Sequence, residues 1–154
     1  MCLMLYMATS TDLPLRTSPE ITIEEVESSR EAVLQSFRLP VVRFIGAHTG
    51  CSCGFPSVRA ETPVDYFEGV FRDAQHRELD LQSVRALLNL VREHVLDSGE
   101  IQLYPVWDGD EGLRPKGTID LRLGALKPET FLLNQQFLYS IARDADRNAN
   151  LDTA

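Results

Sequence analysis

The amino-acid sequence predicts one α+β domain over residues 1–154, with a mixed β-sheet and two or three helices. Segments 1–8 and 41–47 are apolar on both alternating sets of positions, which is typical of strands with both faces buried. Apolar residues in segment 79–98 instead recur every three or four positions, which indicates a helix with one wide apolar side. A chain of this length can fold around such a core without a disulfide or a metal.

Strands are predicted where apolar or alternating segments are bounded by turn-forming residues. They lie at 1–8, 21–26, 41–47, 100–107 and 118–123. The first is expected at the centre of the sheet. Strand 100–107 is expected near an edge, because Pro105 has no N–H to donate to a neighbour. Residues 131–133 and 137–141 are predicted to form a hairpin, with a helix over 128–143 as the alternative.

Two shorter helices are predicted from capping residues and prolines. Ser28 or Ser29 is expected to cap a helix over residues 30–37. Pro63 suits the first position of a second helix, whose apolar side would come from residues 66–71.

The long helix has a predicted beginning and end. Asp80 is expected to cap its first turn, and Gly99 suits the left-handed residue that follows the last turn. The polar residues 144–154 are expected to form a solvated tail.

The composition excludes several kinds of partner. The net charge is −8 and the isoelectric point about 4.8, so nucleic acid and anionic membrane surfaces are disfavoured by charge. No apolar run approaches the ~20 residues that span a bilayer. Three cysteines, two of them separated by one residue, do not form a secreted disulfide framework. We therefore expect a cytoplasmic protein, and the class of small-molecule or protein partner stays open.

Segment 46–55 combines possible metal ligands with a flexible backbone, because it holds two of the three cysteines, one of the three histidines and three of the nine glycines. Cys51 and Cys53 are candidate metal ligands, with Cys2 as a third and His48 as a fourth. Zinc is the expected ion, because thiolates and imidazole are its usual ligands. Alternatively, His48 activates Cys51 as a nucleophile, or the cysteines are structural.

A second loop is expected beside this one. Strand 41–47, the long helix and strand 101–107 have the order of a crossover connection, which places both strand ends at one side of a sheet. Trp107, Asp108 and Asp110 follow the second strand and are therefore candidates for lining a pocket. An exposed acidic turn that also includes Glu111 is the alternative for these carboxylates.

Three segments are similar to those of a group of small bacterial proteins of uncharacterised function. The group shares Met-Cys-x-Met-Leu-Tyr at the N-terminus, Gly-x-His-Thr-Gly-Cys-x-Cys-Gly-Phe, and Trp-Asp-Gly-Asp-Glu at the end of a strand. These match residues 1–6, 46–55 and 107–111, and residues 56–78 lie outside the resemblance. No activity is established for the group, so the resemblance implies no mechanism.

The sequence thus leads to two hypotheses of function. The first is a small cytosolic protein whose cysteine and histidine loop binds a metal ion or presents a reactive thiol. The second is a non-catalytic interaction protein with structural cysteines. The presence of a bound metal separates a metal protein from an interaction protein.

Overall fold

The computed structural model describes residues 2–59 and 74–145, apart from the side chains of residues 74–76. The predicted helix after Pro63 and most of the predicted tail, residues 146–154, lie outside the described residues. The strands are β1 Leu3–Thr9, β2 Arg16–Thr17, β3 Thr22–Glu25, β4 Val41–Gly46, β5 Ser57–Val58, β6 Glu100–Trp107, β7 Gly117–Arg122, β8 Leu133–Asn134 and β9 Phe137–Ala142. The α-helix is α1 Ala74–Ser98, and 3₁₀ helices cover Ser28–Ser36, Ser52–Gly54, Leu123–Ala125 and Pro128–Thr130.

Seven strands form one mixed sheet in the order β2-β3-β4-β1-β6-β9-β7. β1 lies at its centre, antiparallel to both β4 and β6, and all seven of its residues are buried. β7 and β9 run parallel, which makes the sheet mixed. The predicted α+β fold and the central position of the first strand are both confirmed.

The two faces of β1 belong to two different apolar clusters. Leu5 and Met7 pack in the cluster that includes Val91 of α1. Met4 and Tyr6 face the other side, where the 3₁₀ helix Ser28–Ser36 contributes the buried residue Val33. Because successive side chains of a strand point to opposite faces, a segment covered on both sides must be apolar throughout.

Two helix predictions need correction. α1 extends N-terminally to Ala74, so Asp80 lies within the helix and does not cap it. The segment predicted as an α-helix at 30–37 is instead a 3₁₀ helix that begins at Ser28, follows Glu27 and has no side-chain cap. Gly99 has a φ of +92°, as expected for the residue that ends α1.

The predicted edge position of 100–107 is wrong, because β6 pairs with β1 on one side and β9 on the other. The register with β9 ends at Leu103. Pro105 lies beyond that point, and its carbonyl accepts the N–H of Gln136 at 2.7 Å. Its missing donor therefore falls where the β6–β9 ladder has already ended, which allows a proline within a central strand.

The predicted hairpin is also wrong in its pairing: β9 lies where its second strand was predicted, but β8 overlaps the first predicted strand only at Leu133. β8 pairs in parallel with β5, whereas β9 pairs with β6 and β7. The intervening turn places Gln136 at a φ of +67°. An alternating apolar pattern identifies a strand but does not identify its neighbour, which depends on contacts distant in sequence.

The crossover prediction is confirmed in strand direction. β4 and β6 run parallel to each other because both are antiparallel to β1, which lies between them. The loops after β4 and β6 therefore open at the same side of the sheet, where β1 begins. None of the helices within residues 2–59 and 74–145 has the length and apolar character needed to cross a membrane.

Candidate metal centre

Three cysteines meet where β1 begins and the loops after β4 and β6 open. The sulfur atoms of Cys2, Cys51 and Cys53 all lie within 4.8 Å of one another. All three cysteines are free thiols and only partly buried. Sulfurs bound to one zinc ion lie about 3.8 Å apart, because each zinc–sulfur bond is about 2.3 Å. The cluster is thus positioned to hold a metal ion.

Ser52 fixes the cysteine loop in the sheet. Its buried hydroxyl accepts the N–H of Leu5 at 2.8 Å and donates to the carbonyl of Ile45 at 2.6 Å. The β1–β4 register ends at this same pair, Leu5 and Ile45. The short 3₁₀ helix Ser52–Gly54 is therefore bonded to the end of the ladder, with its two neighbouring cysteines on either side of Ser52.

Backbone hydrogen bonds hold the cysteines themselves. The N–H of Leu3 donates to the sulfur of Cys53 at 3.3 Å. The carbonyl of Cys51 accepts the N–H of Ala47 at 2.9 Å, which closes the loop after β4. The carbonyl of Cys2 accepts the N–H of Asp108 at 2.9 Å, which joins the start of β1 to the loop after β6.

The thiols differ in acidity. Burial raises the pKa of Cys51, but hydrogen bonds from the Thr49 hydroxyl and from the neighbouring cysteines outweigh it, so this pKa lies below its ordinary value. Burial, together with the adjoining Cys51, raises the pKa of Cys53 to about 11. Cys51 is therefore the thiol that loses its proton more readily, and Cys53 holds its proton at neutral pH.

The structure does not bring the predicted fourth ligand, His48, into the sulfur cluster. Its Nε2 lies 2.8 Å from Oδ1 of Asp80, and its backbone N–H donates to the Ser83 hydroxyl at 3.0 Å. The ring also packs on Gly54, where an added Cβ would lie 3.0 Å from His48 Cδ2. His48 therefore attaches the cysteine loop to α1, and it is not positioned as a base toward Cys51.

Two polar residues in the sequence of α1 could have predicted this attachment. Asp80 and Ser83 are buried polar residues on the apolar side of α1, four positions before Val84 and Leu87 respectively. Polar residues at such positions require hydrogen-bond partners from elsewhere in the fold.

A cavity of about 250 Å³ opens over the cluster and exposes Cys2 and Cys51 at its wall. Among the predicted pocket residues, Asp108 lines this cavity. Trp107 and Asp110 instead border a separate, smaller space with Gln135 and do not line this cavity, although Trp107 pairs with Leu3, the residue that follows Cys2. The other lining residues are Met4, Tyr6, Glu24, Glu25, Glu27, Arg30, Phe44 and Gly50.

Arg30 joins the cavity wall to the acidic turn. Its guanidinium lies 3.0 Å from Asp108, 3.7 Å from Glu27 and 3.8 Å from Glu111. Glu111 is buried and accepts the Tyr6 hydroxyl at 3.2 Å, so the prediction of an exposed acidic turn is wrong for this residue. Burial and the charge of Glu111 raise the pKa of Tyr6 well above its usual range, which keeps it a hydrogen-bond donor.

Comparison with known proteins identifies no relative of this chain. No protein-family model, curated protein or solved structure matches the chain. The resemblance to the uncharacterised bacterial group stays a prediction. The α+β fold and the three-cysteine cluster are therefore the features of the molecule that bear on its function.

Proposed function

We propose that the protein binds one thiophilic metal ion, with zinc as the cellular occupant, through Cys2, Cys51 and Cys53. The observation that carries this proposal is the approach of the three sulfur atoms to within 4.8 Å of one another. Thiolates favour zinc and copper(I) over magnesium, calcium and manganese. Binding requires reduced thiols, which agrees with the proposed cytoplasmic location.

The protonation of the cluster gives this proposal a measurable consequence. Cys53, with a pKa of about 11, carries a proton at neutral pH. A thiol that coordinates zinc is deprotonated, so metal binding releases this proton. The metal affinity should therefore fall as the pH is lowered, since protons and metal compete for the same sulfur atoms.

A reactive thiol is the second candidate function, and Cys51 is the residue that favours it. Cys51 lines the open cavity, and its pKa lies below the ordinary value because hydrogen bonds from Thr49 and the other cysteines outweigh the effect of burial. This function needs only one accessible thiolate, so it leaves the convergence of the other two sulfurs without a role. Metal binding uses all three.

The test is a cobalt(II) and zinc titration of protein purified under reducing conditions. We expect one zinc ion per chain by elemental analysis. In the cobalt form we expect a near-ultraviolet thiolate-to-metal absorption of an intensity that corresponds to three sulfur ligands. Separate Cys2→Ser, Cys51→Ser and Cys53→Ser variants should each lose affinity by at least about a hundredfold, because each removes a sulfur ligand and even the loss of a group that only supports a ligand costs about 10–100-fold.

Ser29→Ala is a suitable control, because Ser29 is exposed and lies outside the cysteine loop. Its metal content and cobalt spectrum should equal those of the parent. Absence of bound metal, combined with rapid native alkylation of Cys51 alone, would support the reactive thiol. Absence of metal with slow alkylation of every cysteine would support the interaction protein.

A further inference from the structure

Among the residues that the structure describes, no histidine, aspartate or glutamate has a ligand atom within 4.8 Å of all three sulfur atoms. The sulfur of Met4 accepts a hydrogen bond from Arg30 Nη1 at 3.3 Å. Asp108, an acidic residue of the cavity wall whose backbone N–H is bonded to the carbonyl of Cys2, is paired with the same guanidinium at 3.0 Å. His48 is bonded to Asp80. A metal held by three thiolates therefore has no fourth ligand from the described histidines and carboxylates, although tetrahedral zinc requires one.

The cavity gives the missing position access to solution. Its wall includes Cys2 and Cys51, so a molecule that enters it reaches two of the three sulfur ligands. A volume of about 250 Å³ admits a molecule larger than a single water. The position is thus accessible to a small organic ligand.

The charge around the cavity selects among such ligands. Among the described residues, the cavity is lined by the carboxylates of Glu24, Glu25, Glu27 and Asp108, and by one cationic side chain, Arg30. That guanidinium is shared among Asp108, Glu27 and the buried Glu111, so it leaves an excess of negative charge. The ring of Phe44 also lines the cavity, and aromatic faces attract cations. The wall therefore attracts cationic groups and repels anionic ones.

We propose that a metal ion at the three cysteines keeps one coordination position open to this cavity and takes there a small thiol that carries a cationic group. This inference rests on the proposed function and adds the class of ligand that the site accepts. The thiol supplies a soft donor that suits a thiolate-bound metal. Its cationic end lies against the carboxylates and Phe44. On binding, the thiol releases its proton to solvent, and its sulfur replaces a metal-bound water molecule.

Two thiols with the same two-carbon chain test the proposal on the cobalt(II) protein under anaerobic conditions. Thiocholine has a trimethylammonium group, and 2-mercaptoethanesulfonate has a sulfonate. Neither charged group adds a nitrogen ligand that would chelate the metal. We expect thiocholine to increase the thiolate-to-cobalt absorption at a concentration about tenfold lower than the sulfonate, a difference typical of electrostatic focusing in a cleft. Cobalt measured after gel filtration verifies that the metal stays bound.

Matched variants separate the cavity from the overall charge of the protein. Glu24→Gln combined with Glu27→Gln should reduce the preference for thiocholine several-fold. Glu93→Gln combined with Glu129→Gln removes the same net charge from exposed positions that do not line the cavity, and it should preserve the preference.

Three results would overturn the inference, and they differ in what they leave intact. If neither thiol changes the cobalt–thiolate spectrum, the open coordination position is refuted, but the proposed metal site stands. Equal half-saturating concentrations of the two thiols, or equal effects of the two double variants, remove the selection for cations. Absence of any cobalt–thiolate absorption removes the proposed function and the inference together.

Discussion

The hydroxyl of Ser52 accepts the backbone N–H of Leu5 at 2.8 Å, at the last pair of the β1–β4 ladder. The same hydroxyl donates to the carbonyl of Ile45, so one side chain satisfies a donor and an acceptor from two strands. Beyond this point the N–H of Leu3 is bonded to the sulfur of Cys53. The hydrogen bonds of Ser52 and Cys53 thus hold the cysteine loop at the end of the β1–β4 ladder.

Ser52→Ala should destabilise the protein by about 1–3 kcal/mol, because it leaves a buried N–H and a buried carbonyl without their partner. Urea unfolding of the parent and the variant measures this change. Ser29→Ala, at an exposed position, should change stability by less than about 0.5 kcal/mol. Equal midpoints for Ser52→Ala and the parent would contradict the role assigned to this hydroxyl.

Gly54→Ala should displace the cysteine loop. An added Cβ would lie 2.7 Å from Cβ of Ala47 and 3.0 Å from Cδ2 of His48, closer than packed atoms allow. We expect a loss of about 1–3 kcal/mol, as for other overpacked sites, together with weaker metal binding. Gly112→Ala is the matched control, because its nearest contact would be ordinary, at 3.7 Å from Cβ of Ala32. Similar behaviour of the two variants would show that the loop adapts to the extra carbon.

His48→Ala should leave the number of sulfur ligands unchanged. His48 is bonded to Asp80 and lies outside the sulfur cluster, so its removal deprives a buried carboxylate of a partner without removing a ligand. The cobalt spectrum should keep its three-thiolate intensity, while thermal or urea unfolding shows a loss of about 1–3 kcal/mol. Loss of one nitrogen ligand from the cobalt spectrum would instead assign His48 to the metal.

Leu88→Asp should unfold the protein, because Leu88 is 3% exposed in the cluster between α1 and the sheet. An unpaired buried charge costs several kcal/mol, which is comparable with a total stability of about 5–15 kcal/mol. Leu96→Asp places the same charge on the same helix at a position that is 56% exposed, and it should remain folded. Circular dichroism and melting temperature distinguish the two. Similar melting of both variants would place α1 away from the core.

Glu100→Gln should reduce stability at neutral pH but not in acid. Hydrogen bonds from Arg38 and from Ser140 hold the pKa of Glu100 below its ordinary value. A depressed folded-state pKa stabilises the fold above the unfolded pKa of about 4.3, and this contribution disappears as the pH falls through the folded pKa. Urea midpoints measured at neutral and at acid pH test the sign. Glu129→Gln, at an exposed residue, should show no such difference. A gap between parent and Glu100→Gln that persists in strong acid would contradict this explanation.

The sequence predicted the features that depend on local pattern. The two-sided apolar character of β1 predicted its central position, and the spacing of Val84, Leu88 and Val91 predicted the buried side of α1. The convergence of the loops after β4 and β6 followed from the order of strands and helix. The periodicity of apolar residues is enough to predict which sides of a strand or helix are buried. The rule for crossover connections is enough to predict that β4 and β6 run parallel.

The features that the sequence did not predict depend on partners distant in the chain. Pro105 indicated an edge, but its missing N–H falls where β9 has ceased to pair with β6. The sequence around Glu111 indicates a solvated turn, because the two side chains that contact its carboxylate, Tyr6 and Arg30, are distant in sequence. Residue type and spacing define such groups, but only the tertiary structure decides which of them are neighbours.

The central position of β1 also determines when the cysteine cluster can form during synthesis. Cys2 precedes β1 in the chain, whereas the strands on both sides of β1 come later, at Val41–Gly46 and Glu100–Trp107. The carbonyl of Cys2 accepts the N–H of Asp108, so the hydrogen bond that fixes Cys2 at the start of β1 can form only after residue 108 has been made. Before that point the cysteines already made lack this constraint, so the proposed metal would be loaded into the completed site only after β6 has been made.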